Sequence, residues 1–394
     1  MSDRYTVTTS KSWFARLAES IKSVLIGLIL FVVSFPLLFW NESRAVTTAR
    51  SLEEGAGAVV TVAADAVSPD HEGTLVHVTG PVATTGPVVD EDLGIEADAV
   101  KLLRKVEMYQ WIEEEKSETQ KKLGGGEETV TTYEYKKAWS SDPVDSSAFY
   151  EPAGHENPGD FPLPSTTFVA DPVTLGAFTL SAEQVDQLDE ATDLPVDAGA
   201  AESLPDGFSA QVDRGAFYMG ANPATPAIGD VRISFQVVNP EQASVVAVQT
   251  GDTFAPYQAE AGDAILLVEE GVHTSAEMFQ TAQSANTMLT WILRVGGFFA
   301  MFLGLFLVFR PLSVLGDVVP FIGSLLGIGV GLFAFVTSFA LTFITIAIAW
   351  IAVRPILGIT LLVLAGAGLF WLISANRKKK RARQQAQPSA TQAA

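Results

Sequence analysis

The run SVLIGLILFVVSFPLLFW, residues 23–40, contains no charged side chain. About 20 helical residues cross the ~30 Å hydrocarbon core of a bilayer, so the stretch is just long enough to span one. It is longer than the apolar region of a cleaved leader, and no small-residue cleavage pattern precedes NESRAV, so it reads as a retained anchor. Three further apolar runs are long enough to span: residues 290–309, whose one charged residue is Arg294, and residues 327–350 and 355–374, which have none. Between the first two of these lies RPLSVLGDVVPFIGSLL, where Asp317 and two prolines predict an interfacial segment over 310–326.

Basic residues orient the spans. Arg4, Lys11, Arg16 and Lys22 precede the first, while Arg377, Lys378, Lys379, Lys380, Arg381 and Arg383 follow the last. The excess of Lys and Arg on cytoplasmic flanks places both ends inside, which requires an even number of crossings. Residues 1–22 are then a cytoplasmic tail and 375–394 a basic, low-complexity one. Tryptophan agrees: Trp40, Trp291 and Trp350 fall at expected outer ends, and Trp13 and Trp371 at inner ends.

The stretch between the first two spans, residues 41–285, is an ordinary globular sequence in length and composition. It holds 42 of the chain's 45 Asp and Glu but only 12 of its 25 Lys and Arg. A domain this acidic repels polyanions, which argues against nucleic-acid binding. The chain has no cysteine, so disulfides, thiolate catalysis and Cys-based metal centres are excluded.

Alternation of β-branched and polar residues predicts strands over 57–67, 73–82, 230–238, 243–250 and 264–270. AVKLLRKVEMYQWIEEE (99–115) and ETVTTYEYKKAW (128–139) flank a Gly-rich loop and predict a long hairpin. Symmetry about Gly125 sets Trp111 opposite Trp139, Glu113 opposite Lys137 and Glu114 opposite Lys136. LSAEQVDQLDEA (180–191) predicts a helix with Ser181 and Gln184 as a capping box. The fold class is an α+β membrane protein, with four transmembrane helices and a large, mostly β extracytoplasmic domain between the first and second.

Chemistry is sparse. His71 and His77 share strand parity but lack metal-ligand spacing, and Asp90, Glu91, Asp92 and Glu96 lack the ligand order of a calcium loop. No nucleophile elbow, zinc-protease, Walker or dinucleotide pattern occurs. Arg294 and Arg310 lie near span ends, where they can snorkel to the interface. The membrane part is more informative. Gly323, Gly327 and Gly331 form one helical face, and Gly366 and Gly368 another, which suits close helix packing or oligomerisation.

Several words in order along the chain resemble the LUMA family, also called the transmembrane protein 43 family. They include NESRAVTTARSLEEGAGAVV (41–60), with Asn41, Glu42 and Arg44; VEMYQW, with Glu107, Tyr109, Gln110 and Trp111; and GHENP (154–158), GDVRISF (229–235), GDAILLVEEG (262–271) and MFLGLFLVFR (301–310). The resemblance implies four spans and a large lumenal or periplasmic domain, in a family with no established enzymatic activity; from the residues themselves no cofactor or metal is expected. In animals it implies the endoplasmic reticulum and inner nuclear membrane, with self-association and organisation of complexes that include emerin and lamins. The Ala/Val/Asp-rich, cysteine-free composition and the basic tail suggest a bacterial member in the inner membrane, where nuclear partners do not exist. The expected function is a non-enzymatic scaffold whose partners are membrane lipids, further copies of itself and other membrane proteins. A lipid or envelope-stress sensor is the alternative, and a channel, transporter or unrecognised enzyme a lesser one.

Overall fold

The computed structural model describes residues 4–205 and 207–353 and divides into two compact units. Of the described residues, the first takes those within 4–16, 47–286 and 317–320, and the second those within 17–46, 287–316 and 321–353. We label six strands: β1 (Arg4–Lys11), β2 (Leu75–Thr84), β3 (Lys101–Lys121), β4 (Glu127–Ser140), β5 (Val231–Val238) and β6 (Gln242–Thr250). The long helices are α1 (Trp13–Ala58), α2 (Ser275–Gly316) and α3 (Pro320–Val353).

Two sheets build the first unit. One runs β1–β4–β3–β5 and continues through short strands at Ala216–Met219 and Gln211–Asp213. The other centres on β2 paired antiparallel with β6, with Val60–Ala63 added in parallel to β2. Strict alternation decides which side of each strand is covered. On β3, Leu102, Val106 and Met108 are buried and pack with Phe217, Ile233 and Phe235. On the second sheet, Val76, Val78, Val245 and Ala247 bury one face with Leu175, Phe178 and Phe254. The opposite face takes Leu75 and Val246, which meet Leu52 of α1 and Met278 and Phe279 of α2.

The expected hairpin forms, with its register displaced. Tyr109 faces Trp139, Trp111 faces Lys137 and Glu113 faces Tyr135, so every pair lies two residues from the expected one. The loop spans 122–126, with the Lys122 N–H donating to the Gly126 carbonyl (2.8 Å), and is therefore centred on Gly124 rather than Gly125. Because side chains alternate with period two, a two-residue displacement keeps each residue on its expected face and changes only its partner.

Residues 4–11 depart from the expected tail. They form β1, an eight-residue antiparallel partner of β4 from Arg4↔Glu134 to Lys11↔Glu127. Alternating β-branched and aromatic residues in RYTVTTSK suit a strand, and the free edge of β4 offers the hydrogen bonds. Ser12 then caps α1, accepting from the Ala15 N–H (3.3 Å).

Helix boundaries also move. The helix α1 continues through NESRAV to Ala58, so Asn41–Val46 belongs to the second unit and the β-rich unit takes over at Thr47. The helix α2 begins at Ser275, where Thr274 and Glu277 form a reciprocal cap: the Thr274 N–H donates to Glu277 (2.8 Å) and the Glu277 N–H to Thr274 Oγ1 (3.3 Å). Most of the interfacial segment 310–326 is helical, with a break only at residues 317–319. The helix of LSAEQVDQLDEA shrinks to Ala182–Asp186, started by Ser181 as expected. Among the described residues, three helices are long and apolar enough to cross a membrane. The expected span 355–374 and the tail lie outside those residues.

Candidate functional sites

The residues of the NESRAV word gather inside the second unit. Asn41, Glu42 and Arg44 occupy one turn of α1, Thr290, Trp291 and Arg294 one face of α2, and Trp350 lies near the end of α3. Glu42, only 1% exposed, accepts a two-pronged ion pair from Arg294, whose Nε lies 2.6 Å from Oε1 and Nη2 2.7 Å from Oε2. The indole Nε1 of Trp350 adds a third donor at 2.7 Å. The Arg294 guanidinium also lies 4.8 Å from the Trp291 ring centre. Beside this pair, Asn41 donates to the Thr290 carbonyl (3.1 Å) and Arg44 to the Thr290 hydroxyl (3.1 Å). Arg294 therefore does not snorkel. In a low-dielectric setting a lone guanidinium is costly, and Glu42 supplies both the charge and the forked acceptor geometry that offset the cost.

The glycines divide. A Cβ on Gly27 would stand 2.7 Å from the Gly304 carbonyl oxygen, and one on Gly304 2.6 Å from the Phe31 nitrogen, so α1 and α2 touch backbone to backbone. Of the expected face, Gly327 approaches Ser313 and the Gly323 carbonyl accepts from the Ser313 hydroxyl (3.4 Å). Gly331 has open space around it. Gly366 and Gly368, like the basic cluster Arg377, Lys378, Lys379, Lys380, Arg381 and Arg383, fall outside the described residues.

The VEMYQW word sits on β3 and organises the first unit. Glu107 accepts from Arg232 (2.7 Å) and faces Lys105 (3.1 Å). Burial pushes its carboxyl up, but the hydrogen bonds and charges of Arg232 and Lys105 outweigh that and hold it below the ordinary carboxylate value. The Arg232 guanidinium stacks 4.7 Å from the Trp139 ring, which Tyr109 meets at 5.3 Å from the neighbouring strand. Gln110 is fully buried and clamps the chain after the hairpin, donating to the Asp142 carbonyl (3.1 Å) and accepting from the Val144 N–H (2.9 Å).

Trp111 receives the GHENP loop. Its N–H donates to Asn157 Oδ1 (2.7 Å), and Asn157 Nδ2 returns a bond to its carbonyl (2.9 Å). The His155 ring lies 4.7 Å edge-on to Trp111 and stacks 3.9 Å from Tyr135. The Tyr135 hydroxyl donates to Glu113 (2.5 Å) and accepts from the Glu151 N–H (2.9 Å). Burial, reinforced by Glu113, pushes its phenol up to about 12. This link between GHENP and VEMYQW joins residues 46 apart, and local patterning carries no sign of it.

Two sites weighed from sequence resolve as structural. Asp90 is fully buried, with both carboxylate oxygens 2.8 Å from Arg104, which also reaches Asp92 (3.0 Å). Asp90 and Asp92 thus hold a guanidinium. His77 is buried in β2 and bonds the His273 carbonyl (2.9 Å), and burial lowers its pKa against that bond. Among the described residues, no group of three or more His, Cys, Asp and Glu is placed to hold a metal. A cavity of about 360 Å³ beside Glu107 is lined by Lys105, Arg232 and Arg214 but equally by Glu107, Asp193 and Asp213. Its charges are of mixed sign.

The chain is similar to known proteins over most of its length. A family model described as Transmembrane protein 43 matches residues 108–355. The chain is 38% identical over 353 residues to Transmembrane protein 43 of Mus musculus, covering 86% of this chain and 87% of that one. It is 35% identical over 384 residues to Transmembrane protein 43 of Homo sapiens, covering 94% of each. It is also 32% identical over 372 residues to the Drosophila melanogaster homolog, covering 91% of this chain and 96% of that one. No solved structure matches.

Proposed function

The chain belongs to the transmembrane protein 43 family, and from that premise we propose that it is a non-enzymatic membrane scaffold, acting through self-association and contact with other membrane proteins and lipids. One observation carries this reading: the charged and amide groups of both family words are committed to ion pairs, helix contacts and loop clamps. Both Glu42 oxygens already accept from donors, and Gln110 and Asn157 hold backbone. A general acid, base or nucleophile needs a free face toward substrate. Apolar side chains such as Leu25, Ile29, Leu332 and Phe343 are exposed on the long helices, as lipid- or partner-facing positions require. Gly331, with open space around it, is a place where another helix can approach closely. The Ala/Val/Asp-rich, cysteine-free composition points to a bacterial member, for which the inner membrane is the setting.

Cross-linking in native membranes followed by mass spectrometry tests the reading. It should recover links between copies of the chain and to other membrane proteins, and Gly331→Leu should weaken the links between copies while the monomer stays folded. Recovery of the monomer alone, without partners, would sink it.

A further inference from the structure

A two-residue turn in the first unit holds an arginine where the backbone disfavours one. Asp213 pairs with Ala216, and Arg214 and Gly215 between them both adopt positive φ (49° and 79°). Turns of this hand favour Asn, Asp or Gly at the first position, because a Cβ there crowds the following carbonyl. Among the described residues, Arg214 is the one non-glycine residue at positive φ. Its side chain is also uncommitted. Of the 12 Lys and Arg in residues 41–285, all the others have a polar or aromatic partner, whereas Arg214 has none among the described residues.

The turn edges the cavity of about 360 Å³ beside Glu107. Strand register builds its floor. On one side β5 meets two short strands in succession, Ala216–Met219 and then Thr192–Leu194, and Ser234 falls at the gap between them. Lys105, Ser234, Ala216 and Asp213 form one row across four strands, on the face opposite the buried Val106, Ile233 and Phe217. Neighbouring strands lie about 4.8 Å apart, so a cation and a carboxylate end a row whose middle is two small residues. Six charges line the cavity, and three of them are already matched: Glu107 takes both Arg232 and Lys105. The other three are not. Arg214 is free, the Asp213 carboxylate accepts no hydrogen bond among the described residues, and Asp193 accepts one, from Gln236 Nε2 (2.9 Å).

We propose that this cavity binds a small dipolar ligand, with a phosphate on Arg214 and a primary ammonium against Asp213 and Asp193. That is the chemistry of ethanolamine phosphate, free or as a lipid headgroup. A guanidinium fork matches phosphate oxygens two at a time, which gives the arginine a use that offsets its strained backbone. A plain anion would leave the two carboxylates unmatched, and a plain cation would leave Arg214 so. The cavity's one aromatic lining residue, Phe235, is buried in the core, so a trimethylammonium finds no cage of ring faces. An ammonium with three N–H donors suits the carboxylates and the Ser234 hydroxyl instead. Binding here neither needs nor implies self-association.

Calorimetric titration of the full-length protein in phosphatidylcholine nanodiscs tests the site. Ethanolamine phosphate should bind, with inorganic phosphate, ethanolamine and choline phosphate each weaker by about tenfold or more. Arg214→Asn separates binding from folding, because Asn suits the turn. Its unfolding midpoint should hold or rise while ethanolamine phosphate binding falls by about tenfold or more. Asp213→Asn should weaken ethanolamine phosphate but not inorganic phosphate. Repeating the titration in nanodiscs that contain phosphatidylethanolamine identifies the source: weaker binding of the soluble probe there assigns a lipid headgroup, and unchanged binding a free molecule. No binding of ethanolamine phosphate at millimolar concentration, equal affinity for choline phosphate, or full affinity in Arg214→Asn overturns the proposal.

Discussion

Glu42 and Arg294 show how one ion pair decides what a motif is for. They are 252 residues apart, and nothing local in either segment names the other. From sequence, Glu42 reads as part of the start of a soluble domain and Arg294 as a snorkelling cation, because each lies near the end of an apolar run. The structure turns both inward. Removing the carboxylate leaves a buried guanidinium uncompensated, which costs about 3–5 kcal/mol. Glu42→Ala should therefore sharply lower the unfolding midpoint of the detergent-solubilised protein, whereas Glu42→Ala/Arg294→Leu should recover much of the loss. An additive double mutant would refute the pairing. A second residue-scale expectation concerns Tyr135 and Tyr218. Each phenol is raised to about 12, by burial first and then by its carboxylate partner, Glu113 for Tyr135 and Asp230 for Tyr218. Because the unfolded phenol ionises first, near pH 10, the contribution is intact below about pH 10 and lost as pH rises toward 12. Stability should be insensitive to these groups at neutral pH and fall between those values. Tyr135→Phe should flatten that alkaline decline, and tyrosinate absorbance should appear together with unfolding rather than before it.

Elements were more legible than their partners. Alternation located β2, β3, β4, β5 and β6, and Ser181 located a helix start, because each signal is local. The two-residue register displacement escaped because the loop lies asymmetrically within its glycines: Gly124 and Gly125 adopt positive φ (85° and 78°), while Lys122 and Gly126 close it. The strand β1 escaped because its pairing edge lies more than a hundred residues away. The helix contacts were half legible. Glycine spacing pointed to α3, yet the close backbone approach between α1 and α2 uses Gly27, the one glycine of residues 23–40, and Gly304. Gly304→Ala should cost about 1–3 kcal/mol, since a side chain there must push the helices apart. Gly329→Ala, with nothing within 4 Å, should change stability by no more than about 0.5 kcal/mol. Equal effects at the two sites, measured by thermal unfolding in detergent, would contradict this packing.

At the scale of the whole molecule, composition alone separated an apolar membrane part from an acidic, β-rich one, because burial in lipid and exposure to water demand opposite residues. NESRAV and VEMYQW stand out in the sequence, but only the folded chain shows their residues as internal clamps. The proposed scaffold role needs partners beyond the single chain. The number of copies per assembly tests this most directly. Particles extracted from native membranes in copolymer nanodiscs, with subunits counted by single-molecule photobleaching, should contain more than one copy of the chain or a second membrane protein. Particles holding one copy and nothing else, at native expression level, would contradict the scaffold.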